Sequence, residues 1–227
     1  MQLLGAGRDA DVFVLDGGRV LRRYRDTGRT ADHEAAVMAH ARQHGLPVPE
    51  VFDVDGPDIV MQRVDGPTMA DALVRRPWTM GARARELAEL HRAVHAVPAP
   101  DWLAGPVGAG EALLHLDLHP ENVLLTAAGP VLIDWTNAAR GPAAADVADA
   151  WLVICAAGAT GGPVRSATIA AAQGTFARLF RRAAGLDLAP VLPAAAARRL
   201  DDRNLGDRER GRMRRLAGLP DDPARRA

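Results

Sequence analysis

The chain has 227 residues and a mass of 24.1 kDa, enough for a proper core in one compact unit that can carry two lobes. Its 28 basic and 28 acidic side chains balance, with an isoelectric point near 7.1, so charge makes no case for a nucleic acid or a membrane surface as partner. One cysteine, Cys155, excludes an internal disulfide; the most apolar stretch, 150–159, is too short to span a bilayer, and no signal-peptide pattern opens the chain, so a soluble cytoplasmic protein is expected.

Residues 2–25 read as strands, with 11–15 and 19–24 joined by Asp16-Gly17-Gly18, a hairpin signal. Ahead of them lies Gly5-Ala6-Gly7-Arg8-Asp9-Ala10. A helix follows over 30–44, opened by a Thr/Asp capping candidate and closed by Gly45, with Pro47 and Pro49 beyond. Segments 51–54 and 58–64 read as two more strands, and Asp65-Gly66-Pro67 then breaks the pattern. The lobe boundary is expected there: an N-terminal lobe over 1–64, a hinge at 65–67 and a C-terminal lobe over 68–227. Helices are expected at 69–75 and 80–96, then a Pro/Gly-rich connection over 98–110. From 143 onward the chain reads as Ala/Arg/Leu-rich helices near 144–157, 164–184, 193–203 and 207–217, with a frayed end at 220–227. Strands first and helices afterwards argue for an α+β arrangement.

The run from His115 to Asp134, HLDLHPENVLL–TAAGP–VLIDW, is the most informative. Pro120 forbids an ordinary helix between Asp117 and Asn122, so a constrained loop is expected, followed by a hairpin of 123–126, a turn at 128–130 and 131–133. A carboxylate on that loop, with an amide and a second carboxylate at the two ends of the hairpin, suits phosphoryl transfer: Asp117 to take the proton of an attacking hydroxyl, Asn122 and Asp134 to offer oxygen ligands to Mg²⁺.

This block resembles the catalytic loop and metal-binding Asp of the aminoglycoside phosphotransferase family, kinase-like phosphotransferases of small molecules, and the order of elements extends the resemblance over most of the chain. It implies a bilobal protein-kinase-like α+β fold, with a small antiparallel-sheet N-lobe carrying one helix and a mainly helical C-lobe. It implies ATP or GTP as phosphate donor. The nucleotide base would lie against Met61–Val64 and the phosphates under the glycine loop, where Gly5 and Gly7 let backbone amides approach. Ala10 stands where the protein-kinase pattern has its third glycine.

The strand after the loop should carry the base that grips the α- and β-phosphates. Arg22 and Arg23 both stand there, and alternation puts them on opposite faces. The family pattern, with a small apolar residue two positions earlier, favours Arg22. All 28 basic side chains are arginine, so the lysine usual in kinases is absent. Arginine binds phosphate through a planar fork and in a different pose. Glu34 shares a helical face with Val37, Met38 and Ala41 and needs a partner if buried, so a Glu34–Arg22 ion pair is expected beside the alternative of a dipole-favoured first-turn carboxylate.

His91 and His95 stand at i and i+4, but without HExxH or a cysteine cluster zinc is not expected. His91, in line with Leu87 and Val94, reads as a hydrogen-bonded core histidine, and His115 as a brace of the loop backbone. His119 takes the position of the protein-kinase catalytic-loop lysine and could contact the transferring phosphate or serve structurally. Asp146 matches the family's loop-steadying Asp. Eleven residues between Asp134 and Asp146 leave no room for a peptide platform, which argues for a small hydroxyl-bearing acceptor. A kinase-fold nucleotide- or ligand-binding protein with impaired turnover is the alternative, motivated by the missing lysine and third glycine.

Overall fold

Alternating strand patterns joined by glycine turns make a five-stranded antiparallel sheet from the first third of the chain. Its strands are β1 (Gln2–Ala6), β2 (Ala10–Leu15), β3 (Arg19–Tyr24), β4 (Val51–Asp55) and β5 (Asp58–Gln62), in the order β1-β2-β3-β5-β4. Gly17 and Gly18, at φ 71° and 70°, close the β2–β3 turn in a region that side chains disfavour. The computed structural model describes residues 1–7, 9–26, 28–158 and 163–220, apart from the side chains of 163–166. Arg8, inside the expected glycine loop, and 221–227, most of the expected frayed end, lie outside the described residues. Helix α1 (Asp32–Gln43) buries Ala35, Val37, Met38 and Ala41 together with Glu34, and Gly45 at φ 80° ends it.

The remaining elements are α2 (Met69–Arg75), α3 (Met80–His95), β6 (Ala112–Leu114), β7 (Val123–Thr126), β8 (Gly129–Leu132) and β9 (Ala139–Gly141). Four more helices follow: α4 (Ala143–Ala156), α5 (Pro163–Ala184), α6 (Leu192–Leu200) and α7 (Asp207–Leu216). Most expected helices and strands lie within a few residues of these bounds. β6 and β9 were not expected: three residues each are too short for any periodicity, and only their mutual pairing makes them a ladder. The turn of the β7–β8 hairpin also differs. It is the two residues Ala127 and Ala128, and Pro130 sits inside β8 opposite Leu125. A two-stranded hairpin has an outer side where the missing proline N–H costs no ladder bond.

Two compact units emerge, Met1–Asp71 with Glu121–Ala138, and residues 72–120 with those from 139 onward. The hairpin β7–β8 thus groups with the N-terminal sheet, whereas the sequence reading puts it beyond a hinge at 65–67. Backbone hydrogen bonds are the reason. The amide of Leu125 donates to the carbonyl of Pro67 at 2.9 Å, and that of Leu132 to Pro47 at 2.8 Å. Thr68 and Leu124 form an isolated bridge.

In the second unit, α4 is buried along almost its whole length and packs against α3, α5, α6 and α7. Its alanines permit close approach of these neighbours. α3 contributes Ala84, Leu87, Ala88, His91 and Val94 to the interior, and α5 contributes Phe176, Ala177 and Phe180. Val107, Leu114, Leu116, Ala139 and Ala145 form a further apolar cluster that takes in residues of β6 and β9. Among the described residues no helix is long and apolar enough to cross a membrane.

Gly66 packs directly on the Leu125 carbonyl, where a Cβ would collide with backbone. Gly66→Ala should destabilise the protein by about 1–3 kcal/mol, the usual cost of overpacking, read as a lowered urea midpoint with an unchanged slope.

Candidate active site

In the first unit the site grows from one strand residue. β3 alternates so that Val20, Arg22 and Tyr24 share a face, while Arg23 on the other pairs with Asp58 through two short hydrogen bonds. Arg22 is 9% exposed, and a buried guanidinium must find acceptors. Its Nη1 donates to Glu34 Oε1 at 3.1 Å; its Nη2 donates to Asp134 Oδ1 at 2.7 Å and to Thr136 Oγ1 at 3.1 Å. The expected Glu34–Arg22 ion pair is therefore present, and the guanidinium continues from it to the hairpin's far end. Burial pushes the Glu34 carboxyl up while Arg22 pulls it down. The Tyr24 hydroxyl (2.5 Å) and the Trp135 amide (3.2 Å) also donate to Glu34.

Asp134 and Asn122 stand at the two ends of the β7–β8 hairpin. The amide of Ile133 donates to the Asn122 carbonyl at 3.1 Å, which ties those ends together. Asp134 has φ 64°, a left-handed backbone that turns the chain sharply out of the strand into the short 3-10 turn Trp135–Asn137. Its side chain is 35% exposed, and Arg22 and no other side chain reaches it among the described residues. The donor set is an amide and a carboxylate oxygen. No group of three His, Cys, Asp or Glu side chains suited to a metal exists among the described residues. The donor set fits Mg²⁺, which is usually held by one or two carboxylates plus substrate phosphates, not by a complete protein cage.

Of the other nucleotide candidates, Gly5 lies in β1 opposite Val12 and is exposed; Gly7 follows the strand, its amide donating to the Ala10 carbonyl at 2.8 Å. Met61 is buried in β5 opposite Val20, two residues from Arg22, and Val64 follows that strand half-buried. Among the described residues no hydrogen bond joins these four to the side chains of the Arg22 cluster.

The second unit holds the loop. The Asp146 carboxylate, wholly buried in the first turn of α4, accepts the amides of His115 (3.2 Å) and Leu116 (2.6 Å) and lies 2.9 Å from His95 Nε2. Burial alone would raise the carboxyl, but His95 and the neighbouring histidines hold it well below the usual range. Leu116 has φ 52°, an unfavourable backbone for leucine, and these bonds hold it there. His91, expected to be a core histidine, is 1% exposed, with Nδ1 2.9 Å from the Leu87 carbonyl, and burial pushes it down to about 4. His95, its i+4 neighbour, faces the Asp146 carboxylate.

Asp117 follows this pinned backbone. His119 Nε2 lies 3.4 Å from its Oδ1, and Arg199 Nη2 lies 2.5 Å from the same oxygen. Burial would raise the Asp117 carboxyl; His119 and Arg199 outweigh it and hold it well below the ordinary carboxylate range. Sequence reasoning missed Arg199, Asp149 and Thr136. A signal existed for the first two. Arg199 lies on the stripe of α6 with Ala195 and Ala196, and Asp149 lies one turn beyond Asp146 on the apolar α4. Such placements demand partners, as Glu34 does.

A family model described as the phosphotransferase enzyme family matches residues 1–108 and 102–186, and the chain belongs to that family. A thermostable mutant of aminoglycoside phosphotransferase APH(4)-Ia, in a ternary complex with ADP and hygromycin B, has a similar fold: TM-score 0.66 at 18% identity, over 96% of this chain and 92% of that one. A choline/ethanolamine kinase family protein from Mesorhizobium loti gives 0.60 at 18% identity, over 98% and 88%. The architecture is thus the kinase-like α+β fold, a small antiparallel sheet with one helix and a mainly helical second part. In sequence, the chain is 26% identical over 140 residues to the Probable serine/threonine-protein kinase BUD32 homolog of Archaeoglobus fulgidus. The match takes in 57% of this chain and 62% of that relative, just under two thirds of its length.

Two outcomes test this wiring. Asp146→Asn replaces an acceptor of charged strength with an amide and should cost about 3 kcal/mol in urea unfolding. His91 supplies a pH dependence. Its folded value near 4 lies below the ordinary 6.5, so the unfolded chain takes up the proton first and stability falls as pH drops from 6.5 toward 4. The decline in melting temperature over that window should be shallower in His91→Leu; parallel declines would show that His91 is not held neutral.

Proposed function

We propose that this protein is an ATP- and Mg²⁺-dependent phosphotransferase that moves the γ-phosphate to a hydroxyl of a small molecule. The observation that carries the reading is the Arg22 fork joining Glu34 to Asp134. It puts a fixed positive charge on one of the two oxygen ligands at the end of the hairpin. The likeness in fold to an enzyme solved with ADP and hygromycin B supports a nucleotide donor and a small acceptor; GTP is the alternative donor.

In this reading Asn122 and Asp134 hold Mg²⁺, which neutralises charge on the phosphates when bound. Arg22, kept in place by Glu34, faces the α- and β-phosphates; its buried Nε has no acceptor among the described residues. Gly5 and Gly7 cover the phosphates, and Met61 and Val64 line the base. Asn122 and Asp134 fall in the same compact unit as Gly5, Gly7, Arg22, Met61 and Val64, and Asp117 and His119 in the other. Asp117 takes the proton from the acceptor hydroxyl. A carboxyl held below the ordinary range stays ionised at neutral pH but makes a weak base, so orientation of the hydroxyl is its larger contribution. His119, beside the same carboxylate oxygen, is the candidate contact to the transferring phosphate. The short passage from Asp134 to Asp146, filled by the 3-10 turn Trp135–Asn137, β9 and the start of α4, supports a small acceptor over a peptide.

A second reading, a nucleotide- or ligand-binding protein with impaired turnover, draws on the 2.7 Å bond from Arg22 to Asp134, which metal binding has to share. The two readings differ in turnover. With MgATP and a panel of hydroxylated metabolites and antibiotics, ADP release is expected, and Asp117→Asn should lower it by about 10²–10⁴-fold. Excess EDTA should abolish release. ATP binding without ADP release against every acceptor favours the second reading, and undiminished release from Asp117→Asn excludes Asp117 as the base.

A further inference from the structure

α6 places a second arginine against the loop. Arg199 is 6% exposed, on the face of α6 that also buries Ala195 and Ala196, and it is held from below by a wholly buried carboxylate on α4. Its Nε donates to Asp149 Oδ1 at 3.2 Å and its Nη2 to Asp149 Oδ2 at 2.6 Å, the two-point fork that fixes a guanidinium in one orientation. Arg198 Nη1 adds a third bond to Asp149 at 3.3 Å. So oriented, Arg199 Nη2 reaches Asp117 Oδ1 at 2.5 Å and the Leu116 carbonyl at 3.4 Å. Leu116 is the residue with left-handed backbone. Its amide is held by Asp146 and its carbonyl by Arg199, one from α4 and one from α6.

We infer that Arg199, oriented by Asp149, is the positioning residue for Asp117, fixing the carboxylate through Oδ1 in the rotamer that meets the acceptor hydroxyl. The inference rests on Asp117 being the base. Burying two carboxylates and a guanidinium is costly, and an apolar trio of similar volume would stabilise α4 and α6 at least as well. What the ionic trio adds is direction. A carboxylate beside a turn can rotate about its side-chain bonds, and a misplacement of one ångström at a reacting group costs about 10²-fold in rate. A short charge-assisted bond to one oxygen removes that freedom. The contact lies in the second unit, whereas the residues proposed to hold nucleotide lie in the first, so its loss should appear in kcat and not in the KM for ATP.

The test uses the full chain and MgATP with water as acceptor, read as ADP release. Arg199→Met should lower kcat by about 10–10²-fold with the KM for ATP within about threefold. Arg199→Lys should regain part of the loss, since an ammonium can meet Asp117 but cannot span both carboxylates. Added guanidinium ion should partly rescue Arg199→Ala. Asp149→Asn should mimic Arg199→Met, and the double variant should be no worse than the single one, because Asp149 acts through Arg199. Arg199→Met with wild-type kcat, or with its loss confined to KM, overturns the inference provided Asp117→Asn is inactive. If Asp117→Asn is itself active, the base assignment is what fails. A readout independent of turnover is the nitrogen-15 signal of the Arg199 guanidinium, assigned by its absence from Arg199→Lys. It should move on Asp117→Asn, and an unmoved signal overturns the contact.

Discussion

The carboxylate of Asp146 accepts the amides of His115 and Leu116 from a fully buried position on α4, with His95 completing its shell. Much of the second unit's order follows from that contact. A leucine at positive φ is a costly conformation, and it persists only where the surroundings over-determine it. Here α4 holds the amide, α6 holds the carbonyl, and Leu116 and Asp146 are themselves fully buried, with Leu114 and Ala145 in the same apolar cluster as Leu116. With water excluded, each of these charge-assisted bonds is stronger than it would be on a surface, and an unmade one is correspondingly expensive. Asp117 inherits its place from this arrangement.

The first unit solves a comparable problem with one guanidinium. A lysine is a point charge on a flexible stem, whereas arginine is a planar fork with several donors. Arg22 uses that fork to reach Glu34, Asp134 and Thr136 at once, and Tyr24 closes the ring by bonding both Glu34 and Thr136. A strand, a helix and the end of the hairpin are thereby tied together, with the Trp135 amide adding a backbone bond to Glu34. That wiring explains how a chain without lysine keeps a fixed positive charge at this position.

Both clusters were partly legible in the sequence. Glu34 announced itself as a charge on an apolar helical face, and its partner could be named because strand alternation separates Arg22 from Arg23. Asp117, Asn122 and Asp134 were legible because their spacing around Pro120 and a short hairpin is chemically specific. Arg199 carried the same kind of signal as Glu34 and went unread, since an arginine among many in an alanine-rich segment has no local pattern to single it out. Thr136 had none at all. The β6–β9 pair was invisible for a different reason: three-residue strands have no periodicity, and their identity lies wholly in a partner 25 to 29 residues away.

Local chemistry in the sequence was sufficient for the class of each long element, for the α+β order, and for the pairing of Glu34 with Arg22. Tertiary structure alone decided which compact unit holds the hairpin, because that depends on backbone bonds from Leu125 to Pro67 and from Leu132 to Pro47. It alone decided that Asp117 meets Arg199, eighty-two residues on. Periodicity and capping act over a few residues and are written into the chain directly. A buried ion pair is selected by the cost of leaving a charge unpaired, and that cost exists only once the helices around it have closed.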